Sequence, residues 1–456
     1  MIRKLRTSPV LREARATLRL ALPIAFGSAS QILMGVLDSV MIGRVGAVPL
    51  AASAFAGSVF GFFLLAGIGL LLPVAILVSR SHGAGRPTEC ASWLTHGLTL
   101  ALAAGGGAAL LMAGLSTRLG LFGQPAEVVA IVRPFFLLIA ASILPALLFQ
   151  ILRQYAESLG MPLVPMVIMV CCVCLNALLN WTLIYGHLGA PALGLTGAGI
   201  GTLVARTTAL GSLFFVLRKR LRHAPEWPWS RVTRSQSPGY TRSRFAELLR
   251  LGVPSAGQLL FELCAFSASA IMMGWLGTRA LAAHQIALSC GSLTFMFPLG
   301  VATAASMRLG RALGEGDRER LRPIGLGAFG LAWVAMGTFA LVFALFGTQI
   351  ARGFIEDPAV VALAAHLLIV AAVFQIFDGT QVVGTGSLRG LSDVRVPTLI
   401  TGFSYCGIAI PVSYFLGVRG IGPIGVWGGL AAGLACAAIL LFRRFTRLTG
   451  ALAHGA

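Results

Sequence analysis

The sequence predicts an all-α integral membrane protein: twelve transmembrane helices in two parallel-repeat six-helix lobes. Three observations carry this. Apolar stretches long enough to cross a bilayer core recur along the whole chain. The basic residues fall overwhelmingly in alternate connections between those stretches. The second half also repeats landmarks of the first at a nearly constant offset.

Of the 456 residues, 57% are hydrophobic and 11% charged, and the mean hydropathy is +0.87. A soluble chain would carry about 25% charged residues, so the three soluble domains that length alone suggests are set aside. The apolar runs place spans at roughly 18–42, 51–79, 93–115, 130–152, 163–185, 194–217, 249–274, 281–306, 324–347, 361–387, 397–417 and 421–442. Basic residues before 18 resemble a signal peptide, but the run is long and further spans follow, so an uncleaved first helix is expected.

The net charge of +20 follows from topology. With the N-terminus cytoplasmic, 28 of the 35 Lys and Arg residues lie on the cytoplasmic side. They include Arg3, Lys4 and Arg6 before span 1, Arg153 after span 4, Arg231 and Arg234 between spans 6 and 7, Arg389 after span 10, and Arg443, Arg444 and Arg447 at the end. The other side holds Arg44, Arg118, Arg133, Arg279, Arg352 and Arg419. This is the positive-inside bias, with both termini cytoplasmic. It removes the reason to invoke nucleic acid and leaves anionic lipid headgroups as the complementary surface.

Pro23 and Pro254 stand 231 residues apart, as do Gly43 and Gly274, Gly46 and Gly277, Arg80 and Arg311, and Gly85 and Gly316. Leu50-Ala51-Ala52 matches Leu281-Ala282-Ala283 at the same offset, and Leu159 and Pro165 match Leu391 and Pro397 at 232. Six spans per half bring both halves in from the same side, so the repeat is parallel. The expected organisation is an N-terminal lobe over 1–217, a cytoplasmic linker over 218–248 with interfacial Trp227 and Trp229, and a C-terminal lobe over 249–456. Transporters place substrate and ion sites at such repeat interfaces, near mid-membrane.

Twelve of the fifteen acidic residues fall in loops or at span ends. The exceptions are Asp38 in span 1, Glu262 in span 7 and Asp378 in span 10. A charge at mid-membrane costs roughly 2.5–3.5 kcal/mol even on a lenient scale, so an acid retained there marks a functional site facing a cavity, or else a protonated or paired group that pins helices. Asn176 and Asn180 share one face of span 5. They can coordinate a cation with Asp38 or bond across helices. Gln258 lies four residues before Glu262 and Gln381 three after Asp378, so each acid has an amide on its own face. Gln31 aligns with Glu262, and Asp38 with Ser269. The halves therefore share a frame but not their charges. Arg206, deep in span 6, either pairs with Asp38, lines an aqueous cavity, or shows that this span is misplaced, in that order of expectation.

His284 and His366 read as polar packing residues, and Cys171, Cys172 and Cys174 as small packing residues without a second metal-spaced pair. There is no Gly-Lys pair and hence no P-loop, no His-Glu-x-x-His, and no Gly-x-Ser-x-Gly, so neither ATP hydrolysis of that kind nor protease or hydrolase chemistry is supported.

The segments QILMGVLDSVMIGRVGAVPLAA (31–52), HGAGR (82–86), NWTLIYG (180–186), GAGIGT (197–202), LAAHQIAL (281–288), MFPLG (296–300) and GSLRGLSDVRVP (386–397) resemble the multidrug and toxic compound extrusion (MATE) family, in its NorM-like branch. The resemblance runs from about 18 to 440. It implies two six-helix lobes around a central cavity and efflux of cationic, amphipathic drugs by antiport with Na⁺ or H⁺. By motif, Asp38 falls on the family's N-lobe aspartate, Asn176 and Asn180 on its span-5 partners, and Thr202 on its span-6 hydroxyl. Glu262 and Asp378 fall on the C-lobe cation pair. Where this branch can have a Tyr one turn before the span-10 acid, this chain has Phe374, which removes an oxygen ligand from a C-lobe Na⁺ site.

The expected protein is therefore a monomeric exporter in the bacterial inner membrane. Its cation-coupling residues are Asp38, Glu262, Asp378, Asn176, Asn180 and Thr202, and its substrate path passes Gln31, Gln258, Phe374, Gln381 and Arg206. It needs no cofactor and no metal other than a coupling Na⁺, and its partners are small-molecule drugs and the bilayer. The rivals are a flippase for a lipid-linked sugar, which would want a basic cavity, a membrane-embedded enzyme, which lacks a motif, and a passive channel, which lacks a filter.

Overall fold

The computed structural model describes residues 8–123, 125–230 and 239–454. Arg3, Lys4, Arg6, Arg231 and Arg234, used above for topology, lie outside the described residues. The described chain forms helices α1 (Pro9–Gly43), α2 (Ala47–Leu71), α3 (Pro73–Gly83), α4 (Pro87–Leu115), α5 (Ala126–Ser158), α6 (Leu163–Tyr185) and α7 (Gly194–Leu221). They continue as α8 (Arg242–Trp275), α9 (Thr278–Glu315), α10 (Leu321–Arg352), α11 (Pro358–Gly390), α12 (Arg395–Ile421) and α13 (Pro423–His454). Counting α2 and α3 as one segment broken before Pro73, the described residues contain 12 helices long and apolar enough to cross a membrane.

Local chemistry sets many of the ends. Pro73, Pro87 and Pro358 begin α3, α4 and α11, where their missing N–H is no loss. The Asp357 carboxylate caps α11 by accepting from the Ala359 N–H at 2.9 Å. The repeat shows in the backbone. Pro23 and Pro254 lie inside α1 and α8, and Pro165 and Pro397 are each the third residue of their helix. Gly85 and Gly316 both take left-handed φ values, 67° and 77°. At Gly160 the φ is 80°, and its repeat mate Ser392 is driven to 63° despite its Cβ.

The chain divides into two compact units, Phe26–Ala256 in one, and the chain through Ala25 together with the chain from Gly257 on in the other. The cuts fall inside α1 and α8 instead of at the 218–248 linker. In the first unit α5 packs against α2, α4 and α7. The start of α8 joins it because Gly69 and Gly252 let backbones touch: a Cβ at Gly252 would strike the Leu70 carbonyl oxygen, and one at Gly69 the Ala256 backbone. In the second unit α11 packs equivalently against α9, α10 and α13. The start of α1 joins it over Gly300, where an added Cβ would sit 2.7 Å from the Ala21 carbonyl oxygen.

The helices outrun the expected spans, and this changes the charged groups most. Glu13, four per cent exposed, lies inside α1 and is ion-paired with Arg308 and, at 3.1 Å, with Arg320. Arg153 and Glu157 pair at 2.7 Å inside α5, both buried. Trp227 is buried against Phe214, so of the two linker tryptophans only Trp229 is exposed.

Candidate functional site

In the first unit Asp38, on α1, is reached from two other helices. Asn180 Nδ2 on α6 donates to Asp38 Oδ1 at 2.5 Å, and Thr202 Oγ1 on α7 donates to Oδ2 at 3.2 Å. The Thr202 hydroxyl has one proton and also reaches the Ala198 carbonyl at 3.0 Å, so its hold on the carboxylate is shared. Asn180 is in turn linked to Asn176 Oδ1 at 3.5 Å. Both asparagines are fully buried and Asp38 is half-buried. Among the described residues, Asn176 Nδ2 and Asn180 Oδ1 have no partner. The carboxylate therefore sits among neutral donors, with amide oxygens nearby. Such an oxygen-rich set around one fixed negative charge can take a proton or a small cation.

The neighbourhood depends on Gly201, which no motif singled out on its own. A Cβ there would collide with the Asn180 side-chain oxygen. The glycine next to Thr202 thus lets α6 and α7 close until the amide meets Asp38.

Arg206 corrects the first-ranked expectation. It lies within α7, so the span was not misplaced, but it makes no ion pair with Asp38. Its Nη1 donates to Ser142 Oγ on α5 at 2.7 Å, and its guanidinium lies 4.3 Å from the centroid of Phe60 on α2. Asp38 remains within its electrostatic reach.

In the second unit Asp378 is buried on α11, with Oδ1 unpartnered, and lies within electrostatic reach of Glu262 on α8. Ser269, aligned with Asp38, is a buried hydroxyl satisfied by the Phe266 carbonyl of its own helix at 2.7 Å. Gln258 does not serve Glu262 with its carbonyl oxygen, which accepts from Arg389 Nη2 at 3.2 Å. Gln381 is buried with Oε1 unpartnered. Gln31 lies half-buried on α1. Phe374 is buried edge-on against Phe266 and Trp427, with centroids 6.1 and 5.3 Å away. His284 accepts from Trp427 Nε1 at 3.1 Å, and His366 is exposed.

Sequence reading missed three groups. Ser142 looked like any small residue of a span. Arg389, a loop charge by sequence, sits in the last turn of α11 with its Nε buried and without a partner among the described residues. Tyr405 is fully buried, its hydroxyl has no partner among the described residues, and it lies within electrostatic reach of both Glu262 and Asp378. It stands in a π-helical stretch, Phe403–Ala409, and such stretches recur at functional sites. A phenol absent at position 374 is thus present on a different helix, within electrostatic reach of both acids. Its signal was a lone polar aromatic inside an apolar span.

Comparison with known proteins bears on this geometry. The MatE family model matches residues 23–182 and again 254–415, one match in each half. A probable multidrug resistance protein NorM of Mesorhizobium japonicum is 33% identical over 452 residues, 96% of this chain and 94% of that protein. The multidrug resistance protein NorM of Vibrio cholerae is 34% identical, with 95% of each chain covered. Among solved structures, a MATE protein in the bent conformation superposes with a TM-score of 0.87 at 21% identity, covering 98% of this chain and 99% of that one. An outward-facing multidrug resistance MATE family transporter superposes with 0.86 at 23%, covering 97% and 98%.

Proposed function

The chain belongs to the MatE family, whose members are transporters and not enzymes, and on that premise we propose how this multidrug efflux transporter works. It exports cationic, amphipathic small molecules by antiport with Na⁺ or H⁺, through alternating access of its two lobes. Asp38 is the N-lobe coupling group, positioned by Asn176, Asn180 and Thr202. Glu262 and Asp378 form a second, unlike site in the C-lobe. The path for substrate passes Gln31, Gln258, Phe374, Gln381 and Arg206. The protein works as a monomer in the inner membrane with both termini in the cytoplasm.

The observation that carries this reading is the Asp38 site: a carboxylate within a span, held by an amide and a hydroxyl and, among the described residues, left without an ion pair. A base bound to it would cancel the charge permanently. Neutral donors leave it free to be neutralised in turn by substrate and by an incoming cation. An entering cation expels substrate outward, and its release on the cytoplasmic side restores the charge. One charge crossing 100 mV supplies about 2.3 kcal/mol, enough for a roughly fiftyfold substrate gradient. The flippase alternative drew on Arg206, whose guanidinium is engaged by Ser142 and Phe60.

Dye efflux from proteoliposomes, driven separately by an imposed Na⁺ or H⁺ gradient, tests the proposal. Asp38→Asn abolishes gradient-driven efflux while keeping the wild-type melting temperature. Ordinary efflux in that variant, or efflux indifferent to both gradients, refutes it.

A further inference from the structure

We infer that the groove between α12 and the end of α13 is a binding site for an anionic phospholipid of the bilayer, whose phosphate sits on Arg443 and Arg447. The groove has a volume of about 470 Å³ and lies wholly within one unit of the chain. Its walls are of two kinds. Val396 and Ile400 on α12, with Leu440 and Leu448 on α13, make an aliphatic surface. Three guanidiniums, from Arg443, Arg444 and, one turn on, Arg447, stand beside it.

The three arginines are not equivalent. Arg444 is committed: its Nε donates to Asp393 Oδ2 at 2.6 Å, which ties α13 to the turn before α12 and fixes the groove's shape. Arg443 and Arg447 are exposed and, among the described residues, neither has a carboxylate partner. They are four residues apart on one helix face, so both guanidiniums can address one anion. Guanidinium forks match phosphate oxygens in paired hydrogen bonds.

Charge complementarity sets the sign of the occupant, and the aliphatic wall sets its source. A soluble phosphate would use the arginines and leave the leucines and Ile400 wetted. A phospholipid uses both, with its acyl chain along the aliphatic wall and its headgroup at the arginines. The position fits, because this is where the apolar span Pro423–Leu452 reaches its charged end and hydrocarbon gives way to headgroups. The site shares no residue with the coupling groups, so it stands whether or not the transport mechanism above is right.

The test uses full-length protein in detergent and native mass spectrometry, with dioleoyl-phosphatidylglycerol, dioleoyl-phosphatidylcholine and inorganic phosphate as probes. Wild type retains phosphatidylglycerol in preference to phosphatidylcholine, and inorganic phosphate does not displace it. Arg443→Gln with Arg447→Gln weakens phosphatidylglycerol binding about thirtyfold, from roughly 1 kcal/mol per arginine at a headgroup. Ile400→Ser with Leu440→Ser weakens it as well, while leaving both arginines in place. Equal retention of the two lipids, unchanged binding in the arginine double variant, or ready displacement by inorganic phosphate overturns the inference. All four positions are at least partly exposed, so a retained melting temperature separates lost binding from lost folding.

Discussion

Gly201→Ala removes no charge and no hydrogen-bonding group, yet it should cripple coupling. A Cβ at 201 would overlap the Asn180 side-chain oxygen, with Leu179 Cβ a further 3.5 Å neighbour. Relief comes from rotating the Asn180 amide, because the α6 and α7 backbones are held together by neighbouring close contacts such as Gly197 against the Leu183 carbonyl. Rotation withdraws Nδ2 from Asp38 and breaks a 2.5 Å bond to a carboxylate. Hydrogen bonds to charged groups contribute about 1.5–3 kcal/mol, which corresponds to roughly a 10- to 150-fold loss. The assay is initial rate of gradient-driven dye efflux in proteoliposomes, beside thermal unfolding in detergent. Gly211→Ala on the same helix is the control. A Cβ there meets nothing within 4 Å, and the better helix former should leave efflux unchanged and stability equal or higher by up to about 1 kcal/mol. If Gly201→Ala transports like wild type, the placement of Asn180 on Asp38 is not what tunes the site, and the reasoning fails.

Two further outcomes are expected. Tyr405→Phe should lower cation-driven efflux at least severalfold without loss of stability, because the buried hydroxyl has no partner to lose among the described residues and lies within electrostatic reach of Glu262 and Asp378; efflux kinetics and a melting curve on one preparation check both halves. Ser392→Gly should raise the melting temperature, with a gain of about 1 kcal/mol, since the residue sits at φ 63° and its buried hydroxyl is unpartnered; a lower melting temperature would show that the strain reading is mistaken.

What could be read from the chain alone was whatever is local or periodic. Apolar runs gave the spans, because a segment must satisfy its own backbone to cross a bilayer and only a long apolar helix does so. The constant offset gave the repeat, and its landmarks reappear as matched prolines in α1 and α8 and as left-handed turns at Gly85 and Gly316. Three acids in apolar spans were legible for the same reason: the anomaly lies in the sequence context of each residue.

Tertiary structure decided who meets whom. Asp38 and Asn180 are 142 residues apart, and their contact depends on a methyl group missing at Gly201. Arg206, expected at Asp38, found Ser142 and Phe60 instead. Glu13 and Glu157, unremarkable at span ends, became buried ion pairs because helices run past the hydrophobic limit that marks a span. Tyr405 lies within electrostatic reach of Glu262 and Asp378 and stands in a π-helical stretch, a change in winding that no hydropathy pattern records. Hydropathy is summed along one helix, whereas a hydrogen bond depends on the distance between two. The sequence therefore determined which groups would need partners, and packing at a resolution of single carbon atoms determined what those partners are.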